Sequence, residues 1–194
     1  MLSRPSPQDP SNSLIVETPL GLVRFWADVE ASTAAECQLE FRIAEFQPDL
    51  PPGMSVRRAR AVVLRIRATR ALDRLCFRCS LRGEADARPR PTEPTPEPGA
   101  RLDAQSWTAN RDIVVIGTED GEALTARLPW LRTPDDPLAF VRYESDGLSI
   151  PLEGIPAGVE ATLHYVVVEN TYPEPVECCS WFAADLPHRR VLTL

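Results

Sequence analysis

The chain alternates. Over residues 22–29, Val23, Phe25 and Ala27 fall on one side and Arg24, Trp26 and Asp28 on the other. Period two places successive side chains on opposite faces of an extended strand, one face toward a core. A shorter strand over 14–17 precedes it, across a Pro19–Gly21 turn. In 36–46, Cys37, Leu39, Phe41 and Ile43 alternate with Glu36, Gln38, Glu40 and Arg42. The alanines of 31–35 and the Leu39/Ile43/Phe46 spacing would also suit a helix, but the alternation favours a strand. Residues 62–68 put Val62, Leu64, Ile66 and Ala68 on one face. After a turn at 70–73, residues 74–81 put Leu75, Phe77, Cys79 and Leu81 on one face. These two runs are expected to form a β-hairpin.

The second half has the same texture. Residues 112–118 and 122–128 flank Glu119–Asp120–Gly121, a hairpin signal. Strands are expected over 138–143 and 148–152, around Asp146–Gly147. A turn follows at 155–158. Residues 161–169 are apolar on both faces, as in a central strand, and 178–184 closes as a last apolar strand. Short alternating strands with turn signals every 8–12 residues point to an all-β fold, a β-sandwich of antiparallel sheets with little helix.

Residues 84–101 interrupt this texture with Pro89, Pro91, Pro94, Pro96 and Pro98. Such a stretch is expected to be an exposed polyproline-like segment, unable to join a strand ladder. The organisation read from this is a disordered arm (1–13), an N-terminal β lobe (14–83), a proline-rich linker or long loop (84–103), a C-terminal β lobe (104–187) and a tail (188–194). A single domain with 84–101 as a surface loop is the alternative.

Charge adds one feature. The 194-residue chain has a net charge of −7, and all 21 of its basic residues are arginine. The arginines of 57–82 meet a single acid, Asp73, so that stretch carries +8 and the remainder −15. Coding bias in a high-GC genome accounts for the missing lysine; avoidance of lysine-modifying machinery is the sharper alternative. Either way, Schiff-base catalysis, a pyridoxal phosphate anchor, a Walker A loop and a kinase catalytic lysine are excluded. On a hairpin, Arg65, Arg67, Arg74, Arg78 and Arg82 would form one cationic face, suited to gripping carboxylates. An acidic protein partner is the expected ligand. Nucleic acid is disfavoured by the anionic remainder and because Phe77, the one aromatic residue within the patch, is expected to face the core. Internal neutralisation by Asp28, Glu30, Glu36 and Glu40 is the competing reading.

Other candidate chemistry is sparse. Cys76 and Cys79 form a CxxC, but i and i+3 on a strand point to opposite faces, and Cys178–Cys179 diverge likewise, so no metal site or redox pair is expected. Of the two histidines, His164 is expected in the core or on a sheet face and His188 in solvent. A Cys178 or Cys179 pair with His164 would be a nucleophile and base on paper. Glu119–Asp120 and Asp135–Asp136 read as turn residues. No GxSxG, HExxH or GxGxxG occurs. No secretory signal or membrane-spanning run is read, and the odd cysteine count favours a reduced bacterial cytoplasm. Trp107, Trp130, Tyr143 and Trp181 are candidate aromatic anchors. The reading is a non-catalytic interaction or scaffold module without a cofactor, of unknown oligomeric state. The alternatives are a hydrolase-like enzyme using paired carboxylates or a Cys/His pair, and a nucleic-acid-binding β protein.

Overall fold

The computed structural model describes residues 13–30, 37–82, 95–98, 102–131 and 140–194. It is mostly β, with two antiparallel sheets packed face to face. One sheet, A, has the strand order β1 (Ser13–Thr18), β2 (Gly21–Glu30), β5 (Leu72–Arg82), β10 (Leu148–Ile155), β9 (Arg142–Tyr143). The other, B, runs β3 (Cys37–Phe46), β4 (Arg58–Ala68), β11 (Glu160–Thr171), β8 (Asp112–Glu119), β7 (Leu102–Ala109), β6 (Thr95–Pro98). Among the described residues there are three short helices: α1 (Gly121–Arg127), α2 (Cys179–Ala184) and α3 (His188–Val191).

The inner faces are the alternating rows read from the sequence. Val62, Leu64, Ile66 and Ala68 of β4 meet Leu75, Phe77, Cys79 and Leu81 of β5 in one buried cluster with Phe25, Leu163 and Tyr165. Aromatic rings close it: Phe77 lies 4.7 Å from Tyr165 and 6.0 Å from Phe41 between centroids. The Tyr165 hydroxyl, buried with the rings, is within hydrogen-bond reach of the Phe77 and Leu148 carbonyls. Gly147 lies where β10 begins against β5; a Cβ there would overlap the Cys79 carbonyl.

β4 and β5 are not a hairpin. β4 pairs with β3 and β11, whereas β5 pairs with β2 and β10. Each strand carries a fully apolar row, and the two rows are buried by facing each other across the sandwich rather than lying side by side. The division into lobes 14–83 and 104–187 gives way for a related reason. Strands from before and after 84–103 hydrogen-bond to each other in both sheets, β5 with β10 and β4 with β11, and they share one inner core.

Three local expectations also change. Residues 95–98 do join a ladder, as β6 paired to β7; at a sheet edge Pro96 and Pro98 are tolerated. Residues 121–127 are helical: Asp120 caps the start, its carboxylate accepting from the Ala123 N–H at 2.7 Å, and Arg127 lies in the last turn, where a cation suits the dipole. The 178–184 strand is helix α2, which buries Cys179/Ala183 and Ser180/Ala184 at a spacing of four. Strand β7 had no counterpart in the sequence reading. Of 138–143 only Arg142–Tyr143 is a described strand; the 1–12 arm, most of the proline-rich segment and Asp135–Asp136 lie outside the described residues.

A second apolar layer covers the outer face of sheet B. Ala59 and Ala61 of β4, Val166 and Val168 of β11, Val115 of β8, and Leu102 and Ala104 of β7 pack beneath Ala183 and Ala184 of α2 and Val191 of α3. The β3 side of that face has no helix over it among the described residues, and the groove described below lies there.

Candidate functional site

The predicted cationic face is divided between the two outer surfaces. Arg65 and Arg67 project from β4 on sheet B. Arg74, Arg78 and Arg82 belong to β5 on sheet A. Arg65 and Arg67 both hold Glu160, at 2.9 and 2.7 Å. Those bonds keep the Glu160 carboxyl below, and the Arg65 guanidinium above, its ordinary pKa. Arg78 meets Asp28 at 3.0 Å and Glu144 at 3.5 Å. Arg74 is registered between Glu30 and Glu153, and Arg82 is exposed at the end of β5. Separation onto opposite faces removes like-charge opposition across a strand pair. Asp28 supplies the internal compensation anticipated for it, and Glu40 stands opposite Arg65 in register; Glu36 lies outside the described residues.

A groove of about 600 Å³ opens on the outer face of sheet B. Its floor includes Val63 and Arg65 of β4 with Thr162 of β11. Arg42 lines the β3 side, and Arg127 and Leu192 line the opposite wall. Arg42 pairs with Glu40 at 2.8 Å, and both side chains are well exposed.

Behind Thr162 and Arg127 sits a buried polar cluster that the sequence reading missed. His164 is two residues from Thr162 on β11, so both point outward from sheet B. Glu119 ends β8, and His188 opens α3. Exposures of 4% for Glu119, 1% for His164 and 6% for His188 place all three out of solvent, which corrects the expectation that His188 is exposed. The Nδ1 atoms of His164 and His188 lie 2.7 Å apart, and His188 Nε2 lies 2.9 Å from Thr162 Oγ1. Glu119 Oε1 is 3.7 Å from His188 Nδ1 and accepts from Arg127. Burial pushes both imidazole pKa values down, that of His188 to about 3, helped in each case by the Arg127 charge. The same burial raises that of Glu119 against the opposing pull of Arg127.

Hydroxyl, imidazole and carboxylate in a row form a nucleophile–base arrangement. Low basicity of the imidazole weakens it as a proton acceptor at neutral pH. Burial favours the neutral form of both rings, in which nitrogen lone pairs are available as ligands. The only hint in the sequence was polar Thr162 and His164 on the outward parity of an otherwise apolar strand; nothing in the tail marked His188.

The cysteines are dispersed. Cys79 faces the core and Cys76 the opposite side of β5, as strand geometry dictates. Burial pushes the Cys79 thiol up to about 12, and the Cys179 thiol donates to the Val176 carbonyl at 2.9 Å. His164 has His188 as its ring partner, not a cysteine. Cys178 is exposed. With a thiol-specific disulfide reagent, Cys178 is therefore expected to react first, while Cys79 and Cys179 react only at the rate of unfolding. Fast labelling of Cys79 in the folded protein would contradict its placement. Trp107 is a core residue, Trp130 and Trp181 are half-buried, and Tyr143 donates to Asp103 at 2.8 Å.

The fold and site together define an antiparallel β-sandwich with one helix-covered outer face. No protein-family profile matches the chain, and no curated protein matches it. Among solved structures it is similar to a chain described as "Putative kojibiose phosphorylase from human microbiome", at 5% identity and a TM-score of 0.43. That match covers 95% of this chain and 22% of the other. No helix among the described residues is long and apolar enough to cross a membrane.

Proposed function

We propose that the protein is a non-catalytic interaction module that takes an extended acidic segment of a protein partner along β3 and the adjoining groove. The observation supporting this reading is the length of β3, ten residues at one edge of sheet B. A sheet edge offers unpaired N–H and C=O groups to an added strand. Among the described residues the other edges offer less: β1 has six residues, β6 four with two prolines, and β9 two. Arg42 and Arg65 flank the groove beside β3. Their bridges to Glu40 and Glu160 are exposed, and exposed pairs are worth only about 0–1 kcal/mol. A partner's carboxylates can therefore replace those acids at little cost, and the arginine fork then fixes their position.

Selection of displayed linear peptides on the full chain tests this. The expected winners alternate apolar and acidic residues. Their affinity should fall at least about tenfold, or ~1.4 kcal/mol, in Arg42→Glu/Arg65→Glu. It should hold in Arg74→Glu/Arg82→Glu, on the other sheet. Equal loss in both double variants, or winners without acidic residues, would overturn the proposal.

A further inference from the structure

Independently of the groove, we infer that Glu119, His164 and His188 form a binding site for a first-row divalent transition ion of the zinc class. One ligand atom from each residue lies within 4.8 Å of the others, and all three residues are buried. Two imidazole nitrogens and one carboxylate oxygen are a donor set for zinc and its neighbours, not for calcium or magnesium, which favour oxygen ligands.

The contact between the two rings carries the argument. The Nδ1 atoms face each other at 2.7 Å, and two bare lone pairs cannot approach so closely. Without metal, one ring must keep its proton on Nδ1 and donate it to the other. A cation between the rings takes the place of that proton. Four-coordinate ligand atoms at zinc distances stand about 3.3 Å apart, so the rings need to separate by only a few tenths of an ångström. Each ring then carries its single proton on Nε2. His188 Nε2 already has an acceptor, Thr162 Oγ1, at 2.9 Å. A hydrogen bond from the non-ligating nitrogen is the usual support of a metal-bound histidine.

Arg127 opposes the ion. Its guanidinium occupies the Glu119 carboxylate and repels a dication, and it also lines the groove. Binding requires it to turn outward and free Glu119. Three protein ligands leave the coordination shell incomplete, so water or a group from a groove ligand would complete it.

The full chain, stripped by chelator, is titrated with Co(II) while visible absorption is followed. The expected result is uptake near one equivalent, with the intense absorption of a four-coordinate ion, displaced by Zn(II). His188→Gln and Glu119→Gln should weaken uptake at least tenfold, with the β-sheet circular dichroism unchanged. Arg127→Gln should tighten it, which adventitious surface binding would not do. Should a variant fail to fold, the wild-type titration and Arg127→Gln still decide. No absorption change and no rise in Tm with excess Zn(II) would overturn the inference, as would unchanged affinity in His188→Gln or weaker affinity in Arg127→Gln.

Discussion

Replacing Arg60 by methionine is expected to destabilise the fold by about 3–5 kcal/mol, the usual cost of leaving one member of a buried ion pair alone. Arg60 and Glu169 pair at the inner face of sheet B with side-chain exposures of 7% and 8%. Arg60 also donates to the Glu17 carbonyl at 2.7 Å, tying β1 to β4 across the sandwich. Burial lowers the Arg60 pKa and raises that of Glu169, the direction expected when both charges have left water. Among the described residues Arg60 Nε has no hydrogen-bond partner, so the pair is incompletely satisfied. The double variant Arg60→Met/Glu169→Met should therefore recover most of the loss, or exceed the wild type by about 1–4 kcal/mol. Urea denaturation of the wild type, both single variants and the double variant measures this. A double variant as unstable as the sum of the singles would mean that the two residues act separately.

This pair also shows what the sequence made legible. Arg60 was one of nine arginines in a cationic run, and only its parity, shared with Val62 and Leu64, set it apart from exposed Arg65. Its partner stands 109 residues away, so only the packing of β4 beside β11 reveals the ion pair. The same limit explains the β4–β5 connection. Alternation identified the inward row of each strand, because period two is a property of the backbone. It could not say whether those rows lie side by side or face each other, since both arrangements bury the same residues. The arginine face was inferred from the first arrangement and dissolves in the second. At 121–127 and 178–184 helix signals were present in the sequence: an Asp cap before an Ala- and Leu-containing turn, and apolar residues spaced by four at Cys179 and Ala183. Turn chemistry at Asp120–Gly121 and the apolarity of 178–184 outweighed it. The Glu119–His164–His188 cluster joins two strands and the C-terminal helix, and no spacing in the chain announces it.

Phe77→Ala is expected to cost about 3–5 kcal/mol, the range for emptying an aromatic site in a core. Its effect should reach the whole molecule. Phe77 comes from sheet A, and its ring neighbours Phe41 and Tyr165 come from sheet B. Phe41 and Phe77 precede the proline-rich segment and Tyr165 follows it, so the cavity would lie where the two halves of the chain share one core. Two separate lobes would respond differently: the half containing Phe77 would melt early, and the other would keep its own transition. With one core, both halves unfold together. Trp26 reports on the first half and Trp107 on the second, and Trp107 is 3% exposed in the same cluster as Phe77. Single-tryptophan variants retaining one or the other should therefore give coincident urea transitions, both shifted to lower urea by Phe77→Ala. A Trp107 transition left in place while that of Trp26 moves would restore the two-lobe organisation. Cleavage within 84–94 followed by dilution gives the complementary result. The fragments should stay associated, because parting them would separate β4 from β11 and β5 from β10, the ladders that join the halves in both sheets.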